Sequence, residues 1–376
     1  MKQLVKFELY KIFRQKRIYI TMFLLFLIFC LVSFSQPFLG YGGDPLDYKD
    51  DLQVISHKWE GELNKDKFDE AERLLKIYEE KYSNEAQSEE ERAEQYLFYS
   101  IGQYDFIVNR IIPERINELN SELLKFNEDE FPYKQALLEK NMLEHLKINT
   151  FQYSIGPERT ITLVKELFPF FTVFMLIIGL VSIFGNEKKT EMDQILYSTK
   201  YGRSKGVTAK IIASFSYVLF VVLSWVAIIL VIHTYIYGNH GWNAPIQAYA
   251  KFSPYDLTLL EYFMIQIGVL FLVAVAFMMV ILAVSAIFKK SLFCFFIISA
   301  VFILPIVEVS SPFWHYVKMY SFMNLMTAQE FTKSFHVMNI GGFPVLDPFV
   351  HYSFVGMIST IFLVVVYKAI KRTQVM

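Results

Sequence analysis

The length of its apolar runs limits what this chain can fold into more than any other feature. Six stretches, at 18–36, 167–185, 211–235, 262–288, 292–309 and 352–367, carry almost no charge and reach or approach 20 residues. Crossing about 30 Å of hydrocarbon takes about that many. Inside a bilayer each backbone N–H and C=O must be satisfied within its own segment, so such runs specify helices. The expected fold class is therefore all-α: a polytopic membrane protein with six transmembrane helices. Composition agrees, with 54% hydrophobic residues, 37 Phe and 23 Tyr in 376 positions. The fourth run is longer than a crossing needs and is expected to tilt or to emerge from the bilayer. Only Lys289, Lys290 and Ser291 separate it from the fifth, a tight hairpin. The first run is longer than a usual signal-peptide core and no A-x-A-like site follows it, so it is read as a retained anchor.

A formal net charge of −1 conceals two unlike parts. Residues 37–166 hold 28 Asp and Glu against 16 Lys and Arg; the remainder holds 9 acids and 20 bases. An acidic, water-exposed block is thus inserted between the first two spans of a basic, membrane-associated chain. Lys and Arg in short flanks set orientation. The N-terminal flank, the 186–206 segment, the 289–291 hairpin and the C-terminal tail together hold 16 of them. The short loops on the other side hold Lys251, Lys318 and Lys333. Both termini are expected in the cytoplasm and the acidic block outside.

That block, 37–166, reads as a helical extracellular domain. Gly40, Gly42, Gly43 and Pro45 mark its entry and Gly156–Pro157 its exit. Phe68, Leu75 and Tyr78 fall on one helical stripe, Ser88 and Glu91 fit a capping box, and Pro113 suits the first turn of another helix. Strand signals are weak. Trp59, Tyr96, Phe98, Tyr99, Tyr104 and Phe106 are expected to form the domain's own packing core.

Catalytic signatures do not emerge. No G-x-x-x-x-G-K-[ST] loop occurs, and GRSKG at 202–206 lacks its spacing, so ATP hydrolysis by this chain alone is not expected. The seven His residues are scattered, with no i,i+4 pair and no H-E-x-x-H. No serine-nucleophile elbow is present. Cys30 and Cys294 lie inside apolar runs and offer neither a disulfide framework nor a metal pair. Intramembrane charge is sparse: His233 and Glu308 fall at the outer ends of spans three and five, where they read as interfacial. Catalytic residues, resident metals and cofactors, and nucleic-acid partners are all expected to be absent.

Between the second and third runs the chain reads NEKKTEMDQILYSTKYGRSKG, with five basic and three acidic residues. Met192, Ile195 and Leu196 form a short apolar helical face, and Tyr201–Gly202 punctuates it before Arg203, Lys205 and Lys210 lead into the third run. A short amphipathic helix held between two spans suits docking into a cytosolic partner. With Glu187, Leu196, Arg203 and Lys210 in this rhythm, the segment resembles the intracellular loop of ABC-2-type (type V) transporter permease subunits. Thr190–Glu191 stands near the family's usual Gly-Thr and Thr199 where Pro is common. The N-terminal KFELYKIFRQKRIY resembles the family's elbow helix, with Glu8, Lys11, Arg14 and Lys16 at matching places and Leu4, Phe7, Ile12 and Phe13 able to rest in the headgroup boundary. The stretch WHYVKMYSFMNLMTAQEFTKSF, ending at Gly341–Gly342, resembles the two short interfacial or re-entrant helices between the family's last two spans. The layout divides into an elbow at 1–17, a first span at 18–36, the domain at 37–166, and the remaining spans at 167–376. That last part includes a coupling loop at 186–206 and outer helices at 310–350. The finer resemblance is to bacterial peptide-export and antimicrobial-peptide immunity permeases.

The resemblance implies an ATP-driven exporter in which two permease chains, identical or sister, pair above two cytosolic ATPases. ATP and Mg2+ would be bound by those partners. Glu187, Glu191, Ile195, Leu196, Tyr201 and Arg203 would couple to the ATPase. With Phe7, Glu8, Lys11 and Arg14 of the elbow, they would pass its closure to spans one, two and five. The substrate would be amphipathic: a peptide, an antibiotic or a lipid-like molecule. Location in the cell membrane follows, and the Phe, Ile and Lys usage fits a Gram-positive bacterium. Two other readings share the layout: a mechanotransmission permease, which usually has four spans, and a membrane sensor or scaffold needing no ATPase. The lack of clustered His, Asp or Glu in the spans disfavours an intramembrane enzyme.

Overall fold

The computed structural model describes residues 1–39, 48–81, 88–199, 201–288 and 290–372. The glycine-rich entry at Gly40–Pro45 and the loop residues Lys200 and Lys289 lie outside them. The chain opens with α1 (Lys2–Phe13), which turns at Arg14 into α2 (Lys16–Leu39). The inserted domain holds α3 (Lys49–Trp59), α4 (Lys65–Lys81), α5 (Glu89–Phe106), α6 (Ile112–Leu123) and α7 (Phe131–Glu144). A two-residue ribbon, β1 (Gly61–Glu62) against β2 (Thr150–Phe151), closes the domain. Then come α8 (Ile155–Leu180), α9 (Gly185–Lys189), α10 (Met192–Ser198), α11 (Val207–Tyr237) and α12 (Leu259–Ile287). The last part holds α13 (Ser291–Ile303), α14 (Pro312–Met319), α15 (Phe322–Met326), the β3–β4 hairpin (Val337–Ile340 and Phe343–Leu346) and α16 (Asp347–Arg372). The fold is nearly all helical; the two small ribbons qualify the all-α expectation.

Among the described residues five helices are long and apolar enough to cross a membrane: α2, α8, α11, α12 and α16. The run at 292–309 was expected to be a sixth, but α13 ends at Ile303 and only a 3-10 turn carries it on to Ile306. Pro305 explains the stop: it has no N–H to donate to the Val301 carbonyl four residues back, so the α ladder ends before it. At 1.5 Å per residue α13 is about 20 Å long, short of the hydrocarbon thickness.

The membrane helices pack around α12, which buries Phe277, Met278, Ile281 and Leu282 against α8, α11 and α16. Lipid is as apolar as leucine, so close contact rather than water exclusion holds such helices together. Gly179 illustrates this on α8: a Cβ there would lie 2.5 Å from the Tyr217 ring of α11. The Tyr217 hydroxyl completes the join by donating to the Met175 carbonyl at 2.9 Å. By contrast α2 leaves Ile20, Phe23, Leu27 and Leu31 exposed, an apolar surface suited to lipid or to another apolar helix.

The domain has its own core, with Leu52, Phe68, Leu97, Phe98, Ile101 and Tyr104 at its centre. Trp59 and Tyr96 join it partly buried, whereas Tyr99 and Phe106 are exposed. Ser88 and Glu91 form the expected capping box. Pro113 does lie in the first turn of α6, but α6 is no separate helix: α5 runs into it through a π turn at Ile107–Ile111. The wider turn accommodates a residue that lacks an N–H and crowds the preceding carbonyls. Gly156 and Pro157 are not a loop exit either; both are buried in the first turn of α8, which runs unbroken from the domain into the bundle.

Candidate coupling site

At the end of the bundle away from the inserted domain, α1, α9 and the start of α11 meet in a buried quartet of charges. Glu8 and Lys11 share one face of α1, three residues apart, as neighbours on a helix do. Lys11 Nζ lies 2.9 Å from Glu8 Oε1 and 2.7 Å from Glu187 Oε1. Lys210 Nζ lies 3.0 Å from Glu8 Oε2 and 2.6 Å from Glu187 Oε1. Two carboxylates and two ammonium groups therefore alternate, with no net charge. Lys210 is 3% and Glu187 7% exposed, so neither charge would be tolerated there without the other. Burial alone would lower the Lys11 pKa; hydrogen bonds and attraction from Glu187 and Glu8 outweigh it and raise the value.

Other contacts fix the loop to three further helices. Lys188 Nζ donates to the Ala286 carbonyl, and to that of Ser285 at 3.4 Å, capping the end of α12. Ser285 Oγ donates to the Val181 carbonyl at 3.0 Å and receives the Phe184 N–H at 3.3 Å. Gln15, between α1 and α2, donates to the Gly179 carbonyl of α8 at 3.3 Å, and Arg17 bonds the Ser182 hydroxyl. Arg203 Nε donates to the Tyr197 carbonyl at 3.0 Å, placing a cation at the C-terminal end of α10. Its NH1 reaches the Lys371 carbonyl of α16 at 3.5 Å, and Thr208 Oγ1 and the Tyr367 hydroxyl lie 2.8 Å apart. The two ends of the chain are thus gathered beside one loop.

The turn between α9 and α10 is made at Glu191, whose φ of 55° is left-handed. The turn after α10 depends on Gly202, where a Cβ would sit 1.7 Å from the Leu196 carbonyl oxygen. A π turn at Gly202–Gly206 then leads into α11. Held this way, α10 turns its apolar side outward: Met192 and Ile195 are exposed, Ile195 by 70%. Between α10 and α1 lies a cavity of about 510 Å3, lined in part by Phe7, Glu8, Glu187, Leu196, Tyr197 and Lys210. The Tyr197 hydroxyl and Glu187 Oε2 are buried beside it without a hydrogen-bond partner among the described residues. Burial, helped by Glu187, Asp193 and Glu8 nearby, pushes the Tyr197 pKa up.

The residues singled out from sequence separate into two sets. Glu8, Lys11 and Glu187 belong to the buried quartet. Phe7, Glu191, Ile195, Leu196 and Tyr201 are at the surface; Lys11 Nζ lies 5.0 Å from the Phe7 ring and Lys205 Nζ 4.0 Å from that of Tyr201. Arg203 binds backbone, and Arg14 is exposed over Tyr10, apart from the quartet. Lys210, read from sequence as part of the loop's rhythm and the start of the third run but not as a coupling residue, is the quartet's most buried member. The signal was a lysine at the head of an apolar run with acids at 8 and 187 to pair with. Ile12 and Phe13, expected in the headgroups, pack inside instead: Ile12 is buried and the Phe13 ring lies 5.8 Å from Tyr217 and 5.1 Å from Phe220. The elbow therefore rests mainly on α11, the third long helix, and also touches α8. His233, near the end of α11, is buried 2.8 Å from Thr160 Oγ1 and stacks on Phe29. Glu308 is exposed, 3.4 Å from Lys318.

The family model described as "ABC-2 family transporter protein" matches residues 3–370. No curated protein and no solved structure matches the chain. A match over nearly the full length, on a multi-pass helical membrane protein, makes this chain a member of the ABC-2 family of transporter proteins, the membrane permease component of an ABC transporter.

Proposed function

We propose that this permease moves an amphipathic substrate out of the cell or the membrane, driven by a cytosolic ATPase that docks on α10 and the neighbouring face of α1. ATP and Mg2+ are held by that partner, and this chain carries no catalytic centre of its own. One observation carries the reading: α10 exposes Met192 and Ile195 on a short helix whose base is clamped to α1, α11 and α12 by buried polar contacts. An exposed apolar face on a rigid mount receives a partner's movement and delivers it to the bundle without dissipating it in loop motion. The same end holds α1, the last turn of α16 with Lys371 and Arg372, and Lys188, Lys189 and Lys205 of the loop, which favours the cytosol for it and the outside for the inserted domain. α13 with its 3-10 turn serves as a sixth, short crossing, and a second permease chain completes the pathway. The acidic inserted domain favours cationic amphipathic peptides as substrates.

The test is affinity purification from the native membrane in mild detergent, followed by mass spectrometry. A stoichiometric soluble ATPase is expected with the wild type, reduced at least about tenfold by Ile195→Glu, as for loss of an interface hot spot. An unchanged yield from Ile195→Glu would remove α10 as the dock. Reproducible absence of any ATPase from the folded wild-type chain would favour the sensor or scaffold reading.

A further inference from the structure

The inserted domain meets the loop between α11 and α12 at a cluster unrelated to the charge quartet. His57 lies in the last turn of α3, and Glu60 is the residue that caps it. His240 belongs to the loop after α11, 180 positions from Glu60. His240 Nε2 lies 2.7 Å from Glu60 Oε1, and His57 Nδ1 lies 3.2 Å from Glu60 Oε2. One donor atom from each side chain falls within a sphere of contacts no wider than 4.8 Å. The imidazole rings stand 5.2 Å apart at 66°, so both present an edge to the same carboxylate.

We propose that His57, Glu60 and His240 form a divalent-metal site that takes Zn2+ and pins the inserted domain to the α11–α12 loop. Two imidazoles and a carboxylate are a donor set suited to zinc, with the fourth position left to water. At bond lengths of about 2.0–2.1 Å, tetrahedral ligand atoms lie about 3.3 Å apart. The Glu60 carboxylate oxygens lie 2.7 Å from His240 Nε2 and 3.2 Å from His57 Nδ1, near that spacing. The ligand arms are held from behind. The Tyr153 N–H donates to Glu60 Oε1 at 3.0 Å, orienting the carboxylate as outer-shell partners do. The loop bearing His240 is pressed so closely against the domain that a Cβ on Gly241 would lie 2.0 Å from the Tyr153 carbonyl oxygen. Both imidazoles are about half exposed, so an ion has a path in from water. Zinc there would add a bond between segments that already share apolar packing through Ile236, Tyr237 and Ala248 and hydrogen bonds such as Lys49 Nζ to the Ile236 carbonyl at 3.1 Å and Lys251 Nζ to Gln103 at 2.7 Å.

The experiment uses the full chain, purified in detergent without a histidine tag and stripped with a chelator. Zn2+ is titrated against a fluorescent zinc indicator, and Co2+ is added separately to read its visible d–d bands. The expected result is one equivalent of Zn2+, tetrahedral Co2+ bands, and a thermal midpoint raised by saturating zinc. His57→Ala removes a half-exposed side chain that contacts Glu60 and His240, so the variant should fold normally. It should weaken zinc binding by at least about tenfold and abolish the thermal shift. His240→Ala should do the same. Wild-type zinc affinity in both variants, or no stoichiometric zinc in the folded wild type, would overturn the proposal.

Discussion

At the scale of single residues, the quartet makes the sharpest demands. Lys210→Met leaves Glu8 and Glu187 buried with Lys11 alone between them. Breaking a buried pair in this way costs about 3–5 kcal/mol. A marked fall in thermal midpoint is expected, and Glu187→Gln in the same chain should recover part of it, because the surplus charge is gone. A Lys210→Met protein that melts with the wild type would show that the quartet is no clamp. Lys11 adds a pH dependence of known sign. Its pKa is raised in the folded chain, so its contribution is fully present below the unfolded value and is lost as pH climbs through the folded one. Stability should therefore fall on the alkaline side, above about pH 10.4. The fall should be shallower in Lys11→Met, as melting curves across that range would record. The resemblance to the family's elbow and intracellular loop announced Glu8, Lys11 and Glu187 as candidates. That they share one centre with Lys210 was not legible, because helix periodicity relates residues a few positions apart and these lie on three separate helices.

At the scale of elements, the α9–α10 loop is shaped by two backbone positions as much as by its charges. Gly202→Ala would drive a Cβ into the Leu196 carbonyl, which only a shift of α10 relieves. A loss of about 1–3 kcal/mol is expected, as for other overpacked sites. Gly206→Ala makes a good control, since nothing lies within 4 Å of its new atom. Equal melting of the two variants would show that the loop yields there without cost. The apolar face at Met192, Ile195 and Leu196 was readable from sequence, because a short amphipathic stretch between charged neighbours has one helical solution. The course of α5 into α6 was not. A proline normally reads as a helix start, and only the structure shows the π turn that lets the rod continue past Pro113.

For the whole molecule, the number of crossings turns on α13. With Cys30 and Cys294 replaced by Ser, single cysteines at Lys290 and Asn239 report the two ends of the bundle. Lys290→Cys should label from the side of the termini and Asn239→Cys from the opposite side. A cysteine at Ser311 sharing the Asn239 side would make α13 a true crossing. One sharing the Lys290 side would make it a re-entrant helix and leave five spans.

The sequence by itself determined the helical membrane class, the inserted acidic domain and the short apolar helix of the loop between the second and third runs. All three follow from local properties: run length against bilayer thickness, charge density, and a helical stripe. Tertiary structure decided which polar residues meet. It seated the elbow on α11, buried Lys210 between two distant acids, turned His233 inward and brought His240 to His57 and Glu60. Such pairings depend on helices crossing in three dimensions, where the cost of a buried unpaired charge or donor chooses the partner.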